Sequence, residues 1–266
     1  MIKMAVRIVG GVALGILSGH LLTSCMTEPV TGRKQLNFIS SGEEIKLGLT
    51  SFDSLKKEMP VSKDPALNAQ LQKVGHRIAS VCSNDLPNAQ WEFVVFESKE
   101  ANAFCLPGGK VGVYTGIFPI TKDESGLATV IGHEVAHAAA HHGSERMTVE
   151  LARQGLGNYI SASVSEKHAS WLSAATNVYG FGSQLLGSLP HSRLQESAAD
   201  RIGLSYMARA GYDPQAAVQF WQRFAEYDKA SGSQTPWFLR THPLDEARIK
   251  DIQKYLPEAQ KAKASP

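Results

Sequence analysis

The sequence predicts an α+β fold that is mainly α-helical, with a small β-sheet beside one apolar helix. Three observations carry this. Apolar residues recur at helical spacing in most segments between about residues 41 and 258. Two short runs, Trp91 to Glu97 and Lys110 to Ile117, are instead rich in β-branched and aromatic residues, as strands are. From Asp123 to His142 runs an apolar, helix-periodic stretch with His133-Glu-Val-Ala-His137 inside it.

The chain opens on a targeting segment. Lys3 and Arg7 form a positive region, and Ile8 to Leu22 is a short apolar run diluted by glycine and serine. It ends in Leu22-Thr-Ser-Cys25, which resembles a bacterial lipobox; cleavage would remove residues 1–24 and leave a diacylated Cys25. An ordinary signal peptide and an uncleaved anchor are the alternatives. Met26 stands where an Asp would favour the inner membrane, so the expected place is the outer membrane, facing the periplasm. The leader holds two of the 27 basic residues and none of the 25 acidic ones, so the remainder is formally neutral and nothing points to nucleic acid.

Residues 25–40 read as a polar, lipid-bearing tether without periodicity, followed by one domain over 41–258 and a disordered tail over 259–266. Ser41 and Glu44 suggest a capping box ahead of Ile45, Leu49, Phe52 and Leu55. A second helix follows Pro65, with Leu67, Leu71, Val74, Ile78 and Val81 on one face. The Pro107-Gly-Gly turn leads into the second strand. Residues 144–190 are apolar, rich in small residues and interrupted by glycine; a helical hairpin in the core, a lid and a membrane-facing patch are all open. Asp213-Pro214 opens a helix to about Asp228, and Pro243 opens another through Ile249, Ile252 and Leu256.

His133 and His137 are four apart, so both imidazoles lie on one helix face and reach a single Zn²⁺, with Glu134 beside them as general base toward an activated water. A catalytic zinc takes three protein ligands. Glu196 is the candidate third, in a helix capped by Ser192 and Gln195. Asp200, one turn on, faces the same way and is placed to accept the free ring N–H of a ligand histidine.

These motifs, with Asn102-Ala-Phe-Cys-Leu-Pro-Gly-Gly-Lys-Val-Gly-Val-Tyr-Thr-Gly116 and Thr241-His-Pro243, resemble the zinc peptidase family of HtpX, BepA and the CAAX prenyl proteases. The resemblance implies a zincin-like metallopeptidase fold and one zinc per chain, held by His133, His137 and Glu196, with Glu134 as base. It also implies a substrate-pairing edge strand in the Asn102–Gly116 region. Ala198 departs from the pattern, since many relatives carry a second acid there. No tandem repeat follows the domain, so the chain resembles the short lipoprotein members.

His242, in the Thr-His-Pro element, has two functional roles open, oxyanion donor or fourth zinc ligand, beside a structural one as helix cap. Arg240 and Arg248 are further candidates for the oxyanion. His141 and His142 read as hydrogen-bonded residues at a helix end, while His76, His168 and His191 lie in no motif. Cys82 and Cys105 are either a disulfide suited to an oxidising periplasm or two free thiols. The sequence therefore leads to a lipid-anchored zinc endopeptidase acting on unfolded or misassembled envelope proteins. The rival is a latent, zinc-bearing assembly factor for such proteins that cuts little.

Overall fold

A computed structural model of the chain describes residues 25–149, 191–232, 235–244 and 246–262. The leader and most of the 144–190 stretch lie outside them. The described part is α+β and mainly helical, with a three-stranded sheet against the helix that carries His133 and His137.

Helix α1, Ser41–Glu58, is capped by Ser40, one residue earlier than the sequence suggests: its hydroxyl accepts from Glu43 N and the Glu43 side chain answers to Ser40 N. Helix α2, Pro65–Val81, starts from Asp64, whose carboxylate accepts from Ala66 N and Leu67 N, with Pro65 in the first turn. Its face of Leu71, Val74 and Ile78 is buried. Strand β3, Glu92–Phe96, pairs in parallel with β5, Lys110–Tyr114, and β4, Ala103–Leu106, pairs antiparallel on the other side of β5. The β4–β5 turn places Gly108 at φ 86° and Gly109 at φ 80°, angles that side chains rarely adopt. Strand β5 is thus the buried centre of the sheet and β4 is an edge.

After a short helix α3, Phe118–Thr121, helix α4, Glu124–Ala139, runs through the core, buried almost along its whole length. It is shorter than the periodicity implies. The chain breaks at Ala140, His141 takes φ 52°, and a new helical stretch α5 covers residues 142–149. Helices α6, Arg193–Arg209, and α7, Gln215–Ala230, follow. A five-residue helix α8, Trp237–Thr241, precedes α9, Glu246–Ala262. Helix α6 lies between α4 and α9, in close packing with both. No described helix is long and apolar enough to cross a membrane.

Two expectations are corrected, and one open alternative is decided. Residues 25–40 are not a tether without structure: strands β1, Cys25–Thr27, and β2, Lys34–Leu36, pair antiparallel, and Glu28, Gln35 and Asn37 are buried. Polar bonds rather than an apolar stripe hold this hairpin, so periodicity gives no sign of it. The tail is helical through Ala262, because Ala259 packs into the core below Leu256. Cys82 and Cys105 are free thiols. Cys82 is buried at the end of α2, and its thiol contacts Ala79 O.

Candidate metal centre

Helices α4 and α6 supply the predicted ligands. The four-residue spacing of His133 and His137 puts both rings on one face of α4, edge to face, 4.6 Å apart between centroids. On α6 the Ser192–Gln195 capping box forms as expected, and Glu196 and Asp200 face α4 from successive turns. Between the two helices, Gly132 and Gly203 meet at the point of closest approach.

Four donor atoms converge. His133 Nε2 lies 3.0 Å from His137 Nε2 and 3.2 Å from His242 Nδ1. Glu196 Oε1 lies 3.0 Å from His242 Nδ1 and 3.3 Å from His137 Nε2, and Glu196 Oε2 is 3.5 Å from His133 Nε2. All four residues are buried. Glu134 stands beside them with a buried Oε1 that lacks a hydrogen-bond partner and lies 3.4 Å from His242 Nε2.

These spacings fit a metal ion. A tetrahedral zinc with bonds of about 2.0–2.1 Å has ligand–ligand edges of about 3.3–3.4 Å, close to the separations within the cluster. The ring nitrogens agree. His133 Nδ1 is 3.0 Å from Asp200 Oδ1, and His137 Nδ1 is 2.8 Å from His142 Nδ1. With Asp200 beside one Nδ1 and His142 beside the other, both Nε2 atoms turn into the cluster, as those of metal-ligating histidines do.

The electrostatics agree as well. Burial opposes charge on Glu196, yet Arg248, His242 and His133 outweigh it and hold the carboxyl well below its usual range. Asp200 is lowered despite burial, chiefly by Arg248 and then His133. Burial would make His133 a weaker base, but the Glu196 and Asp200 carboxylates carry it up to about 9, the mark of a site that favours positive charge. His137 is pushed well below its usual value by burial and by His133. Burial lifts Glu134, with His242 and His133 offsetting part of the rise.

The centre opens onto a cleft. Asn102 and strand β4 form one wall, and Glu134, His137, His191 and His242 line the floor. The edge strand and the candidate metal therefore share one cavity.

The model of peptidase family M48 matches residues 65–256, which span the sheet, both ligand helices and His242. The chain belongs to peptidase family M48. Its helices α4 and α6 bring together a donor set that could hold a metal ion, as a metallopeptidase family requires. Among curated relatives, the mitochondrial metalloendopeptidase OMA1 of Schizosaccharomyces pombe is 33% identical over 235 residues, covering 87% of this chain and 66% of that protein. A putative beta-barrel assembly-enhancing protease of Vibrio cholerae is 34% identical over 215 residues, 79% of this chain and 43% of that protein. The beta-barrel assembly-enhancing protease of Escherichia coli K12 is 28% identical over 255 residues, 94% of this chain and 51% of that protein. The chain thus spans between 43% and 66% of these M48 relatives' length.

The structure brings together His133, Glu134, His137, Glu196, Asp200 and His242. Arg240 stays apart: it is exposed, and its Nε donates to Thr235 O. Arg248 enters the centre in a different role from oxyanion donor. It pairs with both Asp200 oxygens at 2.8 and 2.9 Å and with Glu196 Oε2 at 2.6 Å, its guanidinium 3.8 Å from the Trp221 ring centre. Such a fork saturates carboxylates and leaves little for a substrate.

Two M48 site residues escaped sequence reasoning. His191 packs its ring 3.8 Å from that of His137, and its backbone N–H donates to Thr241 O, so it joins the start of α6 to the His242 segment. His142 is fully buried against His137, whereas His141 points away to Glu44 at 2.6 Å. The left-handed residue at 141 swaps their faces: a continuous helix would set His141, four residues on, beside His137, so no local spacing pointed to His142. Cys25 begins β1, and Cys82 and Cys105 contribute no donor to the four-residue cluster.

Proposed function

We propose that this chain is a zinc-dependent endopeptidase, lipid-anchored at Cys25 and facing the periplasm, that hydrolyses extended or misfolded envelope proteins. The observation that carries the reading is the four-donor cluster beside an unpartnered Glu134 oxygen, in a cleft walled by an edge strand. The leader and its Leu22-Thr-Ser-Cys25 junction support the address. The similarity to proteins named beta-barrel assembly-enhancing proteases supports the substrate class.

His133, His137 and Glu196 would hold the metal, with Asp200 beside the His133 ring at Nδ1. Zinc bound there supplies Lewis acidity toward a peptide carbonyl and makes water acidic near neutral pH. Strand β4 offers its free edge to an extended peptide, so backbone hydrogen bonds give affinity with little regard to sequence. Glu134 accepts the proton of the attacking water and passes it to the departing amine. Arg248 keeps the second Glu196 oxygen neutralised and the carboxylate in place.

One observation favours a second, latent reading. His242 Nδ1 stands at the fourth corner of the donor cluster, where a water would otherwise bind, and its Nε2 lies against Glu134. In this arrangement the centre is closed, and His242 must swing away before cleavage.

The test is zinc content together with cleavage of an unfolded protein by the chain from Cys25 onward. Glu134→Gln retains zinc and loses turnover by about 10²–10⁴-fold; turnover kept in that variant overturns the mechanism. His242→Ala that cuts faster than wild type supports the latent state. One zinc with no cutting in wild type or His242→Ala selects the assembly-factor role. Labelled fatty acid incorporated by wild type and not by Cys25→Ser tests the anchor.

A further inference from the structure

We propose that the N-terminal hairpin is a working part of the metal centre, with Glu28 as a positioning residue that sets the tautomer of His137 through His142. The proposal rests on the metal-centre reading above and adds to it a segment that lies outside the family match, which begins at residue 65.

Glu28 sits in the loop between β1 and β2, and its carboxylate is fully buried. Thr31 Oγ1 donates to Oε2 at 2.6 Å, and Arg33 Nε donates to Oε1 at 2.7 Å. His142 Nε2 lies 2.8 Å from Oε1. A carboxylate in that company only accepts, so the His142 proton belongs on Nε2. His142 Nδ1 is then bare, and at 2.8 Å from His137 Nδ1 it accepts that ring's proton. The outcome lies two residues away from Glu28: His137 Nε2 carries no proton and presents its lone pair to the donor cluster. Were Glu28 absent, His142 would be free to hold its proton on Nδ1. His137 would then be driven to the tautomer that cannot ligate.

The same hairpin reaches the other ligand helix. Arg33 pairs with both oxygens of Glu145 on α5 at 2.8 and 2.7 Å. Glu145 Oε2 in turn accepts from Gln195 Nε2 at 2.7 Å, next to the ligand Glu196. Gln35 Nε2 donates to Ala140 O, just past the end of α4, and Asn37 Nδ2 donates to Ser144 Oγ at 2.7 Å. Glu28, His142 and Glu145 are spaced closely enough to hold a metal themselves, but Arg33 already bridges the two carboxylates and supplies the positive charge. The hairpin therefore ties α4 and α6 at their metal-bearing ends.

The test is apparent zinc affinity of the full chain by competition with a chromophoric chelator, with urea unfolding of the chelated protein measured in parallel. Removal of a partner behind a metal ligand weakens binding by about 10–100-fold, and that is expected for Glu28→Ala. Glu28→Gln keeps volume and an acceptor oxygen but loses the charge, so it is expected between Ala and wild type, about 3–10-fold weaker. In a His142→Ala background, Glu28→Ala adds less than about threefold, because the relay is already cut. The proposal is overturned if Glu28→Gln binds zinc as wild type does. It is equally overturned if the Glu28 and His142 effects multiply fully in the double variant. Should Glu28→Ala not fold, Glu28→Gln alone decides. A wild-type chain that binds no zinc refutes the metal-centre reading instead, and the two failures are told apart by that control.

Discussion

The spacing of the ligands depends on how closely α4 approaches α6, and that approach is set by two glycines. A Cβ placed on Gly203 would lie 3.0 Å from both Gly132 C and His133 N, against 3.4 Å or more for ordinary contact. The obstacle is backbone on an adjacent helix, so no side chain can rotate out of the way. Gly203→Ala must therefore open the crossing by about 0.4 Å, which exceeds the roughly 0.2 Å that metal–ligand distances tolerate. His133 lies at the contact itself, and Glu196 is two turns away on the displaced helix. Stability tells a different story. Alanine gains about 1 kcal/mol of helix propensity over glycine, while overpacking costs about 1–3 kcal/mol, so the net loss is about 0–2 kcal/mol. The expected outcome is a folded variant whose zinc affinity falls by at least about tenfold. Chelator competition measures the affinity, and urea unfolding of the chelated protein measures the rest. A variant that binds zinc as wild type does, with stability in the expected range, refutes the argument that this crossing sets the ligand geometry.

Arg248→Leu strands two buried carboxylates and should cost the chelated protein about 3–5 kcal/mol; zinc should restore part of the loss, so a urea midpoint equally lowered with and without zinc counts against it. The Glu28 carboxyl is opposed by burial but brought down to about 2 by hydrogen bonds from His142, Arg33 and Thr31. Its folded value lies below its unfolded one, so its contribution, up to about 3 kcal/mol, is present above the unfolded value of 4.5 and lost as pH falls through about 2. Glu28→Gln should accordingly lower the urea midpoint of the chelated protein near neutral pH and converge with wild type in acid; an equal deficit at both ends would contradict this. In a Cys25→Ser chain, a thiol reagent should titrate two thiols in urea and react slowly when the protein is folded, since burial pushes Cys82 up to about 12 and Cys105 well above its usual value. No reactive thiol in urea would mean a bridge.

What the sequence revealed of the site is what a single helix can encode. His133 with His137 and Glu196 with Asp200 are both four apart, so local periodicity places each pair on one face before any tertiary contact is known. The Ser192–Gln195 capping box and the Pro107-Gly-Gly turn are likewise local. His142 and His141 defeat the same reasoning because a left-handed residue at 141 resets the face between them. Arg248 and His191 depend on how α9 and the start of α6 dock, which no local spacing records. The hairpin was hidden by its chemistry. Val30 takes φ 64°, where a glycine would have signalled a turn, and Glu28, Arg33, Gln35 and Asn37 are held by polar bonds to α5 and to Ala140 just before it. A pattern of apolar residues cannot report an element that docks through its polar ones.

The charge balance explains why these parts belong together. Glu134, Glu196 and Asp200 are buried carboxylates in one site, and Arg248 is the buried cation that pairs with two of them. Three carboxylates against one guanidinium leave negative charge in excess, which despite burial draws His133 upward, and buried charge without a partner costs several kcal/mol per ion. A divalent cation at the His133–His137–Glu196 corner removes that excess. Arg248 cannot do so alone, because one guanidinium already serves Asp200 and the outer oxygen of Glu196. On the proposed reading, folding and metal binding would be one balance: α4 brings two imidazoles, α6 and α9 bring a carboxylate pair clamped by arginine, and an ion would complete the set. Glu134 is the exception that gives the site its chemistry. It is a carboxylate that Arg248 does not clamp, with an oxygen left unbonded at the cleft. A purely structural zinc would have no use for such a group, whereas a base that must take up and release a proton requires it.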